Sequence, residues 1–569
     1  MKERLTQERI LIVGAAIAIL AICIYFFAHF TSLFVAGYSP VDRIFAIILL
    51  AAESFFLIQG IGYALNVIKA HRSYRKDFDA QHFFLPTEEP KVAVCIAAFN
   101  ETADTLESTL SACTLMNYGN KKVYLLDDSS RVELADDAQM LAEKYGAQYV
   151  HRTNRRGFKA GALNDVLAQL DAKYLVLLDA DQRPRHDFLS EIIPLLDADP
   201  RLAFIQTPQH YDNRTSSRIA NPAGSQQDVF YTNISEGKSA SNVMFACGTN
   251  VVLRLATLQA VGGFDEGSVT EDFATSIKLH SQGYRSYYYH DIFVKGEGPT
   301  SIAAYYKQQM RWAYGTTRAL GQLLKLFFTH PRRLSVGQWW GYFLSGTWYF
   351  VGWAFFLLML CPIAFLIFDV HPLMLHDAFA YFAFLIPYLI FSTFVFMVSM
   401  SLRDYPIKHI LLGIIMNNLA FPVYMLAVLY AIIGKEIPFV VTPKTNAYQA
   451  SLKYYWPHIV MIIILAFAVV FGIYVRIGQL TLPLAMNVVW SLYAIGVLCC
   501  FVYLLKETGE LSINDVDAFE QFVEANPRRT PLFVVGSTKR PATSMTSIRM
   551  WWAKSRNTMT KTSNVTADS

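Results

Sequence analysis

Charged residues are scarce in this sequence of 569 residues, since Asp, Glu, Lys and Arg make up only 17% of the chain. An average soluble protein carries about 25% charged residues. The charge that is present is concentrated between about Lys69 and Arg333, and long runs with almost none lie on either side. The low charge, with 53% hydrophobic residues, excludes a disordered chain and a wholly water-soluble enzyme. It predicts a polar domain inserted between membrane segments.

Cysteine is also sparse, with seven residues that are widely spaced and lack metal-ligand spacing. This excludes a secreted disulfide scaffold and predicts small buried or lipid-facing thiols. No lysine or arginine run is present either, and the formal net charge is only +4. Nucleic acid is therefore not an expected partner.

Long hydrophobic runs are what this sequence has in abundance. A membrane-spanning helix needs about 20 mostly apolar residues. Seven runs meet this test, namely Ile10 to Phe30, Ile44 to Ile68, Phe343 to Phe368, Phe379 to Leu402, Ile410 to Ile433, Ile459 to Val475 and Leu484 to Leu505. The first run is too long for a signal peptide and has no clean cleavage site, so we expect it to be an uncleaved span.

Basic residues around these runs predict their orientation, because they mark the cytoplasmic side. They place the N-terminus and the region after the second run inside. The fifth run has Lys408 before it and Lys435 after it, a pattern that one crossing cannot satisfy, and it contains Asn417 and Pro422. We therefore expect an interfacial helix over 409–433 and six true spans. We therefore expect a multi-pass plasma (inner) membrane protein that has the lipid bilayer as a partner and whose polar domain is cytoplasmic.

These assignments divide the chain into four parts. We expect two transmembrane helices in 1–70, a cytoplasmic α/β domain with interfacial helices in 71–335, a transmembrane region in 336–505 and a cytoplasmic tail in 506–569. Within 71–335, apolar runs that end in polar residues before helical stretches indicate a mostly parallel sheet. Ligands of such sheets bind beyond the carboxyl ends of the strands.

Acidic residues stand at the predicted strand ends. Asp127 and Asp128 end LLDD, Asp179 and Asp181 belong to LLDAD, and a third pair lies in the polar turn GSVTEDF. Carboxylates gathered in one crevice repel one another unless a cation or a ligand rich in donors is present. Asp-x-Asp on a strand puts both side chains on one face, where they could share Mg²⁺ or Mn²⁺. Each pair alone is also typical of turns and helix N-caps.

Read in order, the motifs DD, DAD, TED and QQMRW resemble the family 2 glycosyltransferases with a GT-A fold, in the processive branch of cellulose, chitin and hyaluronan synthases. NRRGFKAGALN, AFIQTPQ and FACGTNVVLR also resemble that branch. The resemblance implies a GT-A domain inserted in a polytopic helical membrane domain. It further implies transfer of a sugar from a UDP donor with inversion, onto a polysaccharide that grows in a transmembrane channel.

The resemblance also implies roles for individual residues. Asp272 would be the general base, with Glu271 beside it in the catalytic motif. Asp181 and Asp179 would hold Mg²⁺ or Mn²⁺. The substrate-binding residues would be Asp127 or Asp128 for uridine, Asp179 for the nucleotide sugar, Lys159, Gln308 and Arg311 for the diphosphate, Trp312 for the acceptor sugar, and Cys247 and Gly248 of FACGTN.

A further segment, FVVTPK, resembles the gating loop of cellulose synthase catalytic subunits, and we assign a gating loop to 435–450. Its residues would be Phe439, Val441, Thr442 and Lys444.

Two segments depart from the family pattern, LLDDSS and KGEGP, and the second leaves sugar specificity open. The 64 residues after the last span leave no room for the cyclic-di-GMP-binding PilZ domain of bacterial cellulose synthase, so we expect none. Export subunits are possible partners.

The leading hypothesis is a processive inverting β-glucan synthase that polymerises UDP-glucose and exports the chain, with the linkage (1,4, 1,3 or mixed) open. The dense aromatic residues of the third span and its approach, among them Tyr342 and Trp353, are typical of a sugar-stacking channel or of an interfacial belt. Glu53 in the second span is a candidate channel residue. The alternatives are a non-processive transferase that makes a glycolipid, a chitin- or hyaluronan-type synthase that uses another UDP-sugar, and an inactive scaffold or export channel.

Overall fold

A computed structural model describes residues 2–34, 37–79, 88–215, 217–374, 378–403, 405–437, 452–479 and 481–505. Strands and helices are numbered in chain order. The polar middle of the chain forms an α/β domain, and long apolar helices precede and follow it, as the charge distribution predicted.

A seven-stranded sheet is the centre of the α/β domain, with strand order β3-β2-β1-β4-β8-β6-β9. Neighbouring strands run parallel except at β8, which is antiparallel to both β4 and β6. The prediction of a mostly parallel sheet is therefore confirmed. The strands are β1 Val92–Ala98, β2 Lys121–Asp127, β3 Gln148–His151, β4 Tyr174–Asp179, β6 Leu202–Gln206, β8 Val251–Arg254 and β9 Arg285–Tyr288. A small second sheet contains β5 Arg183–Pro184, β10 Val294–Gly296 and β7 His210–Tyr211 in that order.

Helices cover both faces of the large sheet, and a separate hydrophobic core fills each face. The central strands are buried on both sides, which explains why β1 and β4 read as continuous apolar runs. The helices of this domain are α3 Ala103–Thr114, α4 Val132–Lys144, α5 Phe158–Leu167, α6 Phe188–Ala198, α7 Ala220–Val229, α8 Ser235–Ala240, α9 Leu255–Ala260, α10 Glu271–Ser281 and α11 Ile302–Thr329, with a π-helical segment Phe230–Ile234 between α7 and α8.

Among the residues that the structure describes, six helical segments are each long and apolar enough to cross a membrane, as predicted. The segments are Arg9–Ser32, Pro40–His71, Val336–Phe368, Phe382–Ser401, Trp456–Val475 and Leu482–Leu505. They belong to α1 Lys2–Ser32, α2 Pro40–Asp79, α12 Val336–Thr347, α13 Val351–Phe368, α14 Ala378–Ser401, α17 Trp456–Val475, α18 Leu482–Cys499 and α19 Phe501–Leu505. Glu53, within the second segment, accepts a hydrogen bond from Tyr25 Oη at 2.9 Å and contacts His29, so α1 supplies its partners.

The fifth apolar run forms a bent pair, α15 Ile407–Leu419 and α16 Phe421–Ile433, with an angle of 47° between the two helices. The contacts of Arg476 show whether this pair adds a crossing. Arg476, after α17, donates to Asp369 at 2.5 Å and to the Phe365 carbonyl at 3.1 Å, so the ends of α13 and α17 lie on the same side. This placement agrees with the expectation that α14 and α17 are both spans and that the bent pair is not one.

Candidate active site

The sequence-predicted site residues converge on one cavity of about 280 Å³ beyond the carboxyl ends of β1, β2 and β4. This is where the topology of a parallel sheet places a ligand. Eleven of the twelve predicted residues outside the gating loop line it, namely Asp128, Lys159, Asp179, Asp181, Cys247, Gly248, Glu271, Asp272, Gln308, Arg311 and Trp312. Asp127 is the exception. Phe439, Val441, Thr442 and Lys444 lie outside the described residues.

The two aspartates at the end of β2 have different surroundings. Asp127 is fully buried, and its carboxylate accepts hydrogen bonds from Ser129 Oγ at 2.6 Å and Tyr149 Oη at 2.9 Å. Its bonding capacity is thus used within the fold. Asp128 lines the cavity and forms a two-point ion pair with Arg152, at 2.8 and 2.6 Å. Of the two residues predicted for uridine, Asp128 is the one that faces the cavity.

Lys159 brings a positive charge to the carboxylates. It lies in the first turn of α5, where Nζ contacts the Asp179 carboxylate and donates to the Gly248 carbonyl at 2.7 Å. The helix begins after Gly157, whose φ of +64° is in the left-handed region that glycine adopts without strain. The segment NRRGFKAG therefore turns the chain sharply enough to place the ammonium group inside the cavity.

Asp179 and Asp181 both line the cavity, but only Asp179 belongs to β4. Asp181 lies in the turn that follows, where it accepts a hydrogen bond from the Glu297 backbone N–H at 3.2 Å. The expectation of two carboxylates on one strand face is therefore wrong, because the strand ends before the second aspartate. The turn nevertheless keeps both groups in one cavity.

This pair of carboxylates fits a hard divalent cation. Mg²⁺ usually takes one or two protein carboxylates and completes its shell with substrate phosphates and water. Among the residues that the structure describes, no group of three or more His, Cys, Asp or Glu side chains has metal-ligating geometry. A cation held by Asp179 and Asp181 would therefore need oxygen ligands from an anionic substrate.

Glu271 and Asp272 are the first two residues of α10, where the positive end of the helix dipole favours acids. Their predicted location in a turn is wrong, because the turn ends at Thr270. Asp272 accepts a hydrogen bond from the Phe273 N–H at 2.7 Å. Burial, and next the negative charge of Glu271, raise the pKa of Asp272 to about 7. A carboxyl group with that pKa can take up a proton near neutral pH.

Gly248 allows the backbone to pass close to Asp272. Its φ is +80°, and a Cβ atom at this position would lie 3.1 Å from Asp272 Oδ2. Neighbouring Cys247 is half-buried, and burial raises the pKa of its thiol well above its ordinary value. The thiol therefore stays neutral and is a poor nucleophile.

One face of α11 completes the cavity. Gln308, Arg311 and Trp312 are spaced i, i+3 and i+4, so they project from the same side of the helix. Gln308 Nε2 donates to Tyr211 Oη at 3.4 Å. The predicted motif QQMRW thus supplies an amide, a guanidinium group and an indole ring to one wall of the cavity.

Several lining residues were not predicted from the sequence. The guanidinium group of Arg155 lies over the Phe99 ring, 3.5 Å from its centroid, and Tyr211, Gln182 and Glu297 also line the cavity. Arg155 and Glu297 lie inside NRRGFKAGALN and KGEGP, two segments already compared with the family pattern, so these motifs could have identified both residues as part of the site. Gln182 directly follows DAD and Tyr211 lies two residues after AFIQTPQ, whereas Phe99 adjoins no site motif, and their residue types gave no separate indication.

The comparisons with known proteins agree with this geometry. Residues 174–400 match the family model described as glycosyl transferase family group 2. The cellulose synthase catalytic subunit (UDP-forming) of Pseudomonas fluorescens (strain SBW25) is 27% identical over 455 residues, or 75% of this chain and 58% of that protein. The cellulose synthase 1 catalytic subunit of Komagataeibacter xylinus is 25% identical over 447 residues, again 75% of this chain and 58% of the relative.

Among solved structures, the mannosyltransferase PcManGT from Pyrobaculum calidifontis, in complex with GDP-Man and Mn²⁺, is 17% identical, with a TM-score of 0.48. The match covers 69% of this chain and 100% of that one. The chain spans a little over half the length of the two cellulose synthase relatives. The match to the glycosyl transferase family group 2 model over residues 174–400, and the mostly parallel sheet, agree with the resemblance found in the motifs.

Proposed function

We propose that this membrane protein is a processive inverting glycosyltransferase. In this proposal it polymerises glucose from UDP-glucose into a β-glucan and moves the chain across the plasma (inner) membrane from a cytoplasmic active site. The observation that carries the proposal is the single cavity shared by the DD, DAD, TED and QQMRW motifs. The relatives named cellulose synthase, which match 75% of the chain, support the same substrate class.

The cavity offers what transfer to an acceptor hydroxyl requires. The acceptor oxygen attacks the anomeric carbon, the bond from that carbon to the diphosphate oxygen breaks, and UDP leaves. Asp272 takes the hydroxyl proton, because its raised pKa keeps it basic enough near neutral pH. Lys159 and Arg311 stabilise the negative charge that develops on the departing diphosphate.

The remaining residues position the two substrates. Asp128 faces the cavity for the uridine, Gln308 donates toward the diphosphate, and the Trp312 indole provides a flat surface for the acceptor sugar. A divalent cation, Mg²⁺ or Mn²⁺, would be held by Asp179 and Asp181 and would neutralise the diphosphate. The gating-loop role of 435–450 belongs to this proposal too, and α16, which precedes the loop, packs against α11.

An incorporation assay tests the proposal. Detergent-purified protein receives Mg²⁺ or Mn²⁺ and one of several radiolabelled UDP-sugars, and linkage-specific glucanases then digest any polymer. We expect insoluble product from UDP-glucose that a β-glucanase degrades. Asp272→Asn should reduce incorporation by about 10²- to 10⁴-fold while retaining UDP binding.

The other outcomes assign other functions. Soluble or lipid-linked monosaccharide alone would contradict processive synthesis and support a glycolipid transferase. Polymer from a UDP-N-acetylhexosamine would assign a chitin- or hyaluronan-type synthase. Full activity of Asp272→Asn would remove the assignment of the base.

A further inference from the structure

A buried polar network holds one side of α11. Tyr305 and Gln309, four residues apart, lie on that side and are 1% and 3% exposed. Gln308 and Arg311 line the cavity from the adjoining side of the helix. Anything that fixes Tyr305 and Gln309 therefore also fixes the site residues on the same rigid helix.

Tyr424, on α16 of the bent pair, is the centre of this network and is fully buried. Its hydroxyl donates to Gln309 Oε1 at 3.1 Å and accepts from Gln226 Nε2 at 3.0 Å. Tyr305 Oη donates to Gln226 Oε1 at 2.7 Å, and Gln226 Nε2 also donates to Asn417 Oδ1 at 3.2 Å. One hydroxyl group thus connects α16, α7 and α11.

The next residue of α7 reaches the cavity wall. Gln227 Nε2 donates to Tyr211 Oη at 2.6 Å, and this oxygen also receives the hydrogen bond of Gln308. Two adjacent glutamines of α7 therefore support α11, Gln226 through Tyr305 and Gln227 through Tyr211 and Gln308. Asp228, which follows them, forms a buried ion pair with Arg214 at 2.6 Å and so anchors α7.

Close packing restrains the helices that carry this network. A Cβ atom on Gly413 of α15 would lie 2.9 Å from the Ser225 carbonyl group, so α15 and α7 are in backbone contact. A Cβ atom on Gly352 of α13 would lie 2.8 Å from Tyr424 Cβ. The ring of Tyr349 meets the Tyr424 ring edge-on, at 5.2 Å between centroids. Tyr424 has little freedom to move independently.

We propose that Tyr424 is a positioning residue for the proposed reaction. It acts on α11 directly through Gln309, and indirectly through Gln226 of α7, which accepts the hydrogen bond of Tyr305. This inference rests on the proposed function. The bent pair thereby has a role other than crossing the membrane, because it supports the helix that contributes Gln308, Arg311 and Trp312. The hydrogen bonds of a buried network restrict movement, and preorganised donors lower the barrier to transfer. Without the Tyr424 hydroxyl, α11 would fluctuate more.

Hydrogen–deuterium exchange tests the coupling without any substrate. Tyr424→Phe removes only the hydroxyl group, and Tyr430→Phe on the same helix is the matched control. We expect amides of α11 to exchange at least about 3-fold faster in Tyr424→Phe than in the unaltered protein or the control. Gln309→Leu, which removes the acceptor instead, should give the same increase. Unchanged exchange of α11 in both variants would overturn the inference.

Steady-state kinetics then separates positioning from general destabilisation. Tyr424→Phe should lower kcat by about 3- to 10-fold with a smaller change in the KM for the donor, and Tyr430→Phe should not. Combining Tyr424→Phe with Gln309→Leu should add little to the loss from either alone. Losses that multiply would contradict action through Gln309. Absence of incorporation by the unaltered protein would instead refute the proposed function, because the exchange experiment judges the coupling separately.

Discussion

Asp272 and Glu271 are neighbours on the first turn of α10, and both carboxyl groups face the cavity. Burial raises the pKa of Glu271 as well as that of Asp272. Each negative charge makes ionisation of the other less favourable. Glu271 therefore adjusts the basicity of Asp272, in addition to any contact of its own with substrate.

The pH profile tests this pair. A base whose pKa is about 7 is protonated below that pH, so kcat/KM should rise with pH through neutrality. Glu271→Gln removes the neighbouring charge and should move this rise to lower pH, by on the order of one pH unit. The comparison uses the shape of the two profiles, so a lower absolute rate does not affect it. An unshifted profile would show that Glu271 does not influence the base.

Gly248 provides a second prediction, with Gly262 as its control. Both glycines have left-handed φ, +80° and +83°, so alanine should cost each about 1–2 kcal/mol of stability. Only at Gly248 would the new Cβ press on Asp272, since nothing lies within 4 Å of it at Gly262. Gly248→Ala should therefore lower kcat by about 10-fold or more, and Gly262→Ala should leave it within 2-fold. Equal activity of the two variants would contradict the close approach.

The bent pair α15–α16 matters at the scale of elements, because it joins the membrane region to the α/β domain. Gly413→Ala should force α15 away from the backbone of α7 and cost about 1–3 kcal/mol. Gly496→Ala, in α18, adds a methyl group where nothing lies within 4 Å. Thermal unfolding in detergent should show a lower Tm for Gly413→Ala alone. Equal Tm values would mean that the contact between α15 and α7 is not tight.

Several elements could be predicted because local pattern and tertiary structure agree. The strands β2 and β4 end at Asp127 and Asp179, within the predicted strand ends LLDD and LLDAD, since continuous apolar stretches determine them. The sequence also predicted the convergence of the motifs, because parallel strands place their ends at one edge. The helix start at Glu271 was missed, because acids favour turns and first helical turns alike.

Side-chain partners could not be predicted, because they come from distant segments. Asp127 and Asp128 look equivalent in LLDD, and only Tyr149 and Arg152 make them different. Tyr342 was counted among the aromatic residues of a sugar-stacking channel or an interfacial belt, yet it is fully buried. Its hydroxyl group is hydrogen-bonded to His280 Nδ1 at 2.6 Å. Residue type and spacing do not determine which aromatic rings pack in a core.

At the scale of the whole molecule, the contact between Asp369 and Arg476 requires both residues to lie on one side of the membrane. The predicted orientation places that side outside and the α/β domain inside. Cysteine labelling in intact cells tests this with exposed positions. Gln479→Cys should react with an impermeant maleimide, whereas Asp136→Cys and Lys435→Cys should react only after permeabilisation. Labelling of Lys435→Cys in intact cells would show that the bent pair crosses the membrane.

The central claim is that one active site adds many sugars to one chain before releasing it. The most direct measurement is product length at low conversion, with radiolabelled UDP-glucose in large excess over purified protein. A processive synthase should yield long β-glucan chains from the earliest time points, with the number of chains rising while their length stays nearly constant. Products that begin as one or two sugars and lengthen together with time, or that remain single sugars on lipid, would contradict the account.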